Sequence, residues 1–247
     1  MSLGAFQRVM ADLVASPSLC LYVREDATGA LRAYDLTERE HDRVTKIVWQ
    51  RGMSTNCSLY RANRITPLYT HLALTCTLLG ERMMDEVECF WRVCDESDLQ
   101  FAPEIKRFGD FLRGRIRAGE IDCPCLESVV NFELAVNALL YVPRRQSMNE
   151  LPAQDERTAT IQAHPLVRLI RFTHDPSPLL SALAAARPPP DDLRQGEFFV
   201  VVQATTDDIG IIEVDATIGL ALEHLQAGVV PDSATATALI TAELAVG

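Results

Sequence analysis

The apolar residues of this 247-residue chain change their spacing part-way along it. Up to about residue 141 they recur every three or four positions, which is the period of a helix with one buried face. Beyond residue 160 they alternate with polar residues or form short β-branched runs, as in LVRLIRF, EFFVVVQ and IGIIEVD. The sequence therefore predicts an α+β fold in which an all-helical N-terminal part precedes a small sheet with short helices.

The segment that joins these two parts, VPRRQSMNELPAQDERTAT, shows neither period. It is rich in proline and in charged residues, which is a composition typical of linkers between domains. We therefore predict a helical domain over residues 1–150 and a small winged-helix-like α+β module over residues 151–247.

Start and stop signals divide the helical part into six predicted helices. The first stops near Ser16-Pro17, and a loop or small hairpin is expected after it. Thr37 and Glu40 form a capping box at the start of the second helix, which Gly52 is expected to end. The others are predicted over residues 59–79, with a kink or restart at Pro67, over residues 81–93, and in the segments EIKRFGDFLRGRIR and CLESVVNFELAVNALLY.

In the C-terminal part, EFFVVVQ and IGIIEVD flank a polar stretch from Thr205 to Asp208, which predicts a β-hairpin. LVRLIRF predicts one more strand. Short helices are predicted in SPLLSALAAAR, over residues 216–226 and over residues 233–246.

The chain is strongly acidic, with 34 acidic against 23 basic residues and a formal net charge of -11. Its mean surface potential repels phosphate backbones and anionic lipid headgroups, so we expect neither nucleic acid nor a membrane as a partner. A local basic patch would override this average, but arginine-rich helices in acidic proteins more often form ion pairs with their neighbours. The candidate basic residues are Arg61, Arg64, Lys106, Arg107, Arg113, Arg115 and Arg117.

The N-terminal stretch MSLGAFQRVMADLV lacks the features of a secretory signal, and the sequence contains no uninterrupted apolar run long enough for a membrane span. The seven cysteines are odd in number and irregularly spaced, which is typical of reduced thiols in a chain too large to need disulfides. We therefore expect a soluble cytoplasmic protein.

The residues that could carry catalysis do not form a complete motif. The five histidines lack metal-ligand spacing, and the sequence has no nucleophile elbow and no phosphate-binding glycine loop. His174-Asp175 before Pro176 is more typical of a helix cap than of a carboxylate–histidine pair, and Cys123-Pro124-Cys125 alone cannot fill a tetrahedral metal site. We therefore expect no catalytic residue, metal or cofactor in this chain.

The strand-like segments indicate a peptide-binding surface. A strand at the edge of a sheet has unpaired N–H and C=O groups, to which an extended peptide can add as a further strand. If EFFVVVQ or LVRLIRF lies at an edge, the residues expected to bind the peptide are Phe199, Val201, Gln203, Ile211 and Val214. The alternative, a core sheet covered by the last helices, is equally compatible with the pattern.

Several short motifs resemble one known family. Tyr60-Arg61-Ala62-Asn63-Arg64 is followed by a leucine-rich segment ending in Leu78-Leu79-Gly80 and then by Phe90-Trp91. This order is similar to that in the partner proteins of multinuclear non-haem iron oxidative enzymes, which are often labelled as a DNA-binding domain. The segments that resemble the family's later motifs are Asn131 to Ala135, His164 to Arg171 and Phe198 to Gly228.

This resemblance implies a role in the biosynthesis of ribosomally synthesised, post-translationally modified peptides of the methanobactin and 3-thiaglutamate type. It implies that the helical domain over residues 1–150 docks on the iron enzyme to form a heterodimer and that the C-terminal module captures the leader of the precursor peptide. The enzyme, which would hold the iron, then oxidises a core cysteine. The inserted stretch from Cys20 to Arg51 departs from the family pattern.

Four motif residues are expected to form a polar network: Tyr60, Asn63, Arg64 and Glu133. In this network Arg64 would pair with a carboxylate such as Glu133. The network either faces the partner enzyme or ties two helices together inside one domain, and we favour the second role.

Two other functions stay open at this point. A winged-helix-like outline is also compatible with a DNA-binding transcriptional regulator, although the closing segment SATATALITAELAVG contains no lysine or arginine. An enzyme built on the thiols or on the scattered histidines is the other possibility.

Overall fold

The computed structural model of the chain describes residues 3–94, 97, 99–141, 161–205 and 208–246. Its helices are α1 (Leu3–Ala15), α2 (Pro17–Glu25), α3 (Ala27–Leu31), α4 (Glu38–Ile47), α5 (Arg51–His71), α6 (Ala73–Leu79), α7 (Arg82–Val93), α8 (Phe101–Arg117), α9 (Leu126–Leu140), α10 (Pro176–Ala184), α11 (Ala216–Gln226) and α12 (Ser233–Thr241). Its strands are β1 (Gln162–Ala163), β2 (Val167–His174), β3 (Gln195–Ala204), β4 (Ile209–Val214) and β5 (Ala245–Val246).

The structure confirms the α+β class, with 63% helix and a three-stranded antiparallel sheet. The winged-helix-like arrangement stays a prediction. Of the helices that the structure describes, none is both long enough and apolar enough to cross a lipid bilayer.

The chain divides into two compact units. The first comprises Met1–Pro67 and Val87–Glu104, and the second comprises Leu68–Glu86 and Ile105–Gly247. Within the second unit α9 shares a hydrophobic core with the sheet. The domains predicted over residues 1–150 and 151–247 stay a prediction, because the linker on which they depend, residues 142–160, lies outside the described residues.

The first helices of the first unit surround one apolar core. This core contains Val9 and Leu13 of α1, Cys20 and Val23 of α2, and Val44 of α4. The loop or hairpin expected after α1 is wrong, because α2 and α3 occupy that stretch.

The cause of this difference is that Ser16-Pro17 acts both as the end of one helix and as the start of the next. The Ser16 side chain accepts a hydrogen bond from the Leu19 N–H, and Pro17 occupies the first turn, so the pair that ends α1 also begins α2. Asp26 caps α3 in the same way by accepting from the Gly29 N–H.

Other helix boundaries confirm some of the predicted helix ends and correct others. The capping box of Thr37 and Glu40 opens α4 as predicted. Gly52 does not end a helix, because α5 begins one residue before it. Pro67 lies within α5, and the break between α5 and α6 falls at Leu72. The last helix ends at Thr241, and the residues after Leu244 pair with β1 as β5.

The three-stranded sheet has the order β2–β3–β4, with both neighbouring pairs antiparallel. The hairpin predicted from EFFVVVQ and IGIIEVD is β3 and β4, with Val201 opposite Ile212. LVRLIRF is β2, in which Leu169 lies opposite Val201. The predicted strands are therefore confirmed, and β3 is the central one.

Both faces of the central strand β3 are covered. Alternation of side chains along a strand places even-numbered residues of β3 on one face and odd-numbered ones on the other. Val200 and Val202 share a core with α9 and α10, and Val201 shares a core with α11 and α12. The α11 backbone comes so close to β3 that a Cβ atom at Gly219 would lie 2.2 Å from Cγ of Phe199.

Candidate functional site: a free sheet edge

The direction of the backbone groups decides which strand could receive a peptide. Of the two segments considered as edge strands, EFFVVVQ is not one, because β3 has a neighbour on each side, whereas LVRLIRF, as β2, lies at one edge of the three-stranded sheet. The Ala204 N–H donates to the Leu166 carbonyl at 3.0 Å, and the Thr205 N–H donates to the Asp208 carbonyl at 2.8 Å. In an antiparallel pair such bonds recur at every second residue. This alternation identifies the residues whose N–H and C=O groups point away from β3. They are Ile209, Ile211 and Glu213 on β4, and Val167, Leu169 and Arg171 on β2.

On β4, most of the N–H and C=O groups that point away from β3 have no hydrogen-bond partner among the described residues. The Ile209 N–H donates to Oδ1 of Asp208 at 2.7 Å. Among the described residues, none hydrogen-bonds to the outward groups of Ile211 and Glu213. The Ile211 and Ile212 side chains are 54% and 48% exposed, and they lie on opposite faces of the strand. The β4 edge therefore offers two open backbone positions with an exposed apolar side chain on each face.

The β2 edge is partly occupied by the chain itself. The Val167 N–H donates to the His164 carbonyl at 3.0 Å, and the Val167 carbonyl accepts from Nη1 of Arg168 at 2.8 Å. The Arg171 side chain forms an ion pair with Glu197 of β3. This leaves the outward groups of Leu169 and Arg171, where the apolar side chain of Leu169 is only partly exposed and the exposed side chain of Arg171 is ion-paired.

The residues expected to bind the peptide do not form one surface. Phe199 and Val201 are fully buried under α11, and Val214 is half-buried on the same face of the sheet. Gln203 donates from Nε2 to the Glu243 carbonyl at 3.3 Å. Ile211 lies on the other face. Only Ile211 combines an exposed side chain with outward backbone groups.

Ile212 and Glu213 are not among the residues that the sequence predicts to bind the peptide. A signal was present, because two adjacent isoleucines in a strand must point to opposite faces. In a strand with a single buried face, one of them is therefore exposed.

The polar network expected from the sequence is centred on Arg64 in the first unit and does not include Glu133. Arg64 is 2% exposed, and its Nε donates to Oε1 of Glu104 at 2.7 Å. Its Nη2 donates to the Cys94 carbonyl at 2.7 Å. The rings of Tyr60, Phe90 and Trp91 lie 5.4 to 5.7 Å from the guanidinium carbon. The exposed Asn63 lies on the same helix, α5.

Glu133 has a separate role in the second unit. Its two carboxylate oxygens accept from the N–H groups of Leu74 and Thr75, each at 2.8 Å. Leu72, at the start of α6, supplies no side-chain cap. Glu133, which lies on α9, caps α6 instead. Burial raises the pKa of Glu133 to about 7, although these hydrogen bonds favour the charged form. The pairing of Arg64 with Glu133 is therefore a wrong prediction.

The candidate basic patch is largely neutralised by ion pairs. Arg64 pairs with Glu104, and Arg115 pairs with Glu86 and Glu120. Lys106 and Arg113 share Asp110, and Arg117 pairs with Glu127. Among the described residues, carboxylate partners are thus seen for at least five of the seven candidates, as the alternative interpretation predicted.

The cysteines are all present as free thiols. Burial raises the pKa of Cys20 and Cys76 to about 12, and it also raises the pKa of Cys123 and Cys125. These four side chains are therefore protonated at neutral pH, and a thiol is a weak nucleophile. In the described part of the chain, no three histidine, cysteine or carboxylate side chains are grouped so that they could hold a metal ion.

The predicted helix cap at Asp175 is confirmed. Its side chain accepts from the Ser177 N–H at 3.2 Å at the start of α10. Arg194 also approaches Asp175, at 3.4 Å. Asp175 therefore has the structural role that its position before Pro176 predicted.

No family model matches the chain, and no curated protein matches it. The resemblance of its motifs to the partners of iron oxidative enzymes therefore stays a prediction. The geometry of the sheet edge is the main structural guide to function.

Proposed function

We propose that this chain is the non-catalytic partner subunit of a multinuclear non-haem iron oxidative enzyme. It captures the leader of a ribosomal precursor peptide as an added strand along β4 and presents the core cysteine to the enzyme. The two chains form a heterodimer in the cytoplasm, and the partner holds the iron. In this proposal the module after residue 150 is winged-helix-like and recognises the leader.

The observation that carries the proposal is the open edge of β4. Ile211 and Glu213 together direct two N–H and two C=O groups away from β3. An antiparallel or parallel guest strand would satisfy them, and its side chains would contact the exposed Ile211 and Ile212. The motif resemblance supports the same assignment, since it implies leader capture by this part of the chain.

The magnitudes indicate what the guest peptide needs. A net contribution of about 1 kcal/mol per hydrogen bond gives about 4 kcal/mol for four backbone bonds. Micromolar affinity needs about 8 kcal/mol, and ordering the peptide adds a further cost. Apolar contacts with Ile211 and Ile212 must supply the remainder, at about 1.5–3 kcal/mol for each fully buried side chain. We therefore expect a leader whose extended segment places apolar residues on both faces of the added strand.

The test is a fluorescence-polarisation titration with the precursor peptide encoded beside this chain. Ile211→Pro removes an outward N–H and leaves the β3–β4 ladder intact, so the sheet should fold while peptide affinity falls at least tenfold. Arg171→Pro is the matched control, because it removes an outward N–H from the opposite edge, β2.

The two variants separate the possible results. Loss of affinity in Ile211→Pro alone supports the β4 edge. Loss in Arg171→Pro alone would move the guest strand to β2. An absence of peptide binding by the wild-type chain, with and without the iron enzyme, would refute leader capture altogether.

The DNA-binding alternative is tested with labelled duplex DNA in the same assay. The ion-paired arginines and the lack of lysine and arginine in α12 lead us to expect no retention at low ionic strength. Strong, salt-dependent binding would favour a regulator.

A further inference from the structure

Residues 195–247 contain eight carboxylate side chains and no lysine or arginine. The carboxylates belong to Glu197, Asp207, Asp208, Glu213, Asp215, Glu223, Asp232 and Glu243. The segment has a formal charge of -8, which is most of the net charge of -11 of the whole chain. It forms β3, β4, α11, α12 and β5. The open edge of β4 therefore lies in a segment whose formal charges are all negative.

Three carboxylates among the described residues lie on β4 or directly beside it, and they differ in what they contact. Oδ1 of Asp208 accepts from the Ile209 N–H at 2.7 Å. Oδ1 of Asp215 accepts from the first N–H groups of α11 at 2.8 and 3.0 Å. The Glu213 side chain is exposed, and in the described part of the chain neither a hydrogen-bond donor nor a cation contacts its carboxylate. Glu213 is therefore the carboxylate that a guest strand can use.

The position of Glu213 on the strand fixes which guest residue it meets. Its side chain lies on the same face of β4 as that of Ile211, because residues two apart along a strand share a face. Both residues also direct their backbone groups away from β3. In an antiparallel guest strand, the residue directly opposite each of them has its Cα atom about 5.5 Å away. Two guest side chains, two positions apart, therefore lie next to Glu213 and Ile211.

The local charges decide which side chain is favoured opposite Glu213. Opposite charges that face each other across two strands stabilise the pair, and like charges destabilise it. The separation of about 5.5 Å is shorter than the Debye length of about 8 Å at physiological ionic strength, so salt weakens this interaction without removing it. Asp208 and Asp215, at the two ends of β4, add negative charge along the same edge. A lysine or arginine is therefore favoured opposite Glu213, and an acidic residue is disfavoured.

On the basis of the leader capture proposed above, we infer that the guest strand is basic and that Glu213 selects it. A lysine or arginine of the guest lies opposite Glu213, and an apolar residue two positions away lies opposite Ile211. The residue between them points to the face of Ile212. In an antiparallel guest the basic residue precedes the apolar one in sequence, because the two strands run in opposite directions.

The experiment uses the full chain and the precursor peptide encoded beside it, in a fluorescence-polarisation titration at physiological ionic strength. Glu213→Gln removes the charge, and Glu213→Lys reverses it. Asp42→Lys, at an exposed position of α4 in the first unit, is the matched control, since it changes the net charge by the same amount. All of these variants replace exposed side chains, so folding is retained.

We expect Glu213→Gln to weaken peptide binding about two- to fivefold, which is the effect of one opposite-charge pair across two strands. Glu213→Lys should weaken it about four- to twenty-fivefold, because a repulsion of similar size replaces the attraction. Asp42→Lys should leave the affinity within about twofold of the wild type, because a surface charge far from the peptide is screened by salt.

An exchange of charges identifies the guest residue. Each lysine and arginine of the leader is replaced by glutamate in turn, and each peptide is titrated with the wild-type chain and with Glu213→Lys. One replacement should weaken binding to the wild-type chain and should bind Glu213→Lys more tightly than the native leader does. The leader residue two positions from it should be apolar.

Three results would overturn the inference while Ile211→Pro still lowers the affinity, so that leader capture stands. The first is an affinity that neither Glu213→Gln nor Glu213→Lys changes, which would leave Glu213 only as a guard against pairing between copies. The second is an equal loss in Glu213→Lys and Asp42→Lys. The third is a leader in which no glutamate replacement binds Glu213→Lys better than the native peptide does. If the wild-type chain binds no peptide at all, the proposed function itself is refuted, and this inference with it.

Discussion

Each compact unit buries a charged side chain, and the two differ in what surrounds the charge. In the first unit Arg64 is buried against the carboxylate of Glu104, which also accepts from the Ser97 hydroxyl at 2.7 Å. In the second unit Glu133 is buried against two backbone N–H groups. A full counter-charge compensates desolvation better than N–H dipoles do, and the pKa of Glu133 is accordingly raised.

Because of this difference, the buried charges of Arg64 and Glu133 affect stability in different ways. Removing one member of the Arg64–Glu104 pair leaves the other charge buried without compensation. Glu133 can instead take up a proton, so its contribution to stability depends on pH. The first unit should therefore respond mainly to mutation, and the second should also respond to pH.

The largest expected effect is that of Arg64→Met. The variant leaves Glu104 buried without its cation, which should lower the free energy of unfolding by about 3–5 kcal/mol. Urea denaturation of the full chain measures this change. Arg61→Met, on the exposed side of the same helix, should cost under about 0.5 kcal/mol. Equal losses of unfolding free energy in both variants would contradict the inference that the buried ion pair with Glu104 makes Arg64 important for stability.

The second prediction concerns the pH dependence that Glu133 gives to stability. Folding raises its pKa from 4.5 to about 7, so the folded state favours the protonated form. The stability from this group is complete below about pH 4.5 and is lost as the pH rises through about 7, by about 3 kcal/mol in all. Denaturation curves between pH 4 and 8 measure it.

Glu133→Gln isolates this contribution, because the amide does not titrate. The difference in unfolding free energy, wild type minus Glu133→Gln, should fall as the pH rises between about 4.5 and 7. Parallel pH curves for the two proteins would mean that Glu133 keeps its charge across this range.

The smallest effect is expected for Ser97→Ala. It removes one hydrogen bond to the Glu104 carboxylate and keeps the ion pair, so the loss should be about 1.5 kcal/mol. Ser58→Ala, an exposed position of α5, is the control and should be neutral within about 0.5 kcal/mol. If Ser97→Ala is as harmful as Arg64→Met, the hydroxyl rather than the guanidinium holds Glu104.

Local patterns in the sequence were enough to predict most elements. Helical periodicity located α7, α8 and α9, and alternation located β2, β3 and β4. The pattern failed where a local signal has two uses. Ser16-Pro17 ends one helix and begins the next, whereas the sequence pattern predicts only the end of a helix there.

The candidate sites depended on contacts that local patterns do not encode. Which of three strands is central follows from their pairing, so β3 could not be separated from an edge strand in advance. The sequence does not determine which of several distant carboxylates pairs with Arg64, and the structure shows that it is Glu104 rather than Glu133. Periodicity places a side chain on a face but does not name its partner.

The open β4 edge also matters when no guest is bound. An uncovered strand with exposed isoleucines on each side is a template for self-association, and two copies of this chain could join along it. Asp208 closes one donor at the start of the strand, and Glu213 adds a charge near its end, so both residues discourage such pairing. If the proposed leader capture is right, production of the chain together with the precursor peptide should therefore reduce precipitation.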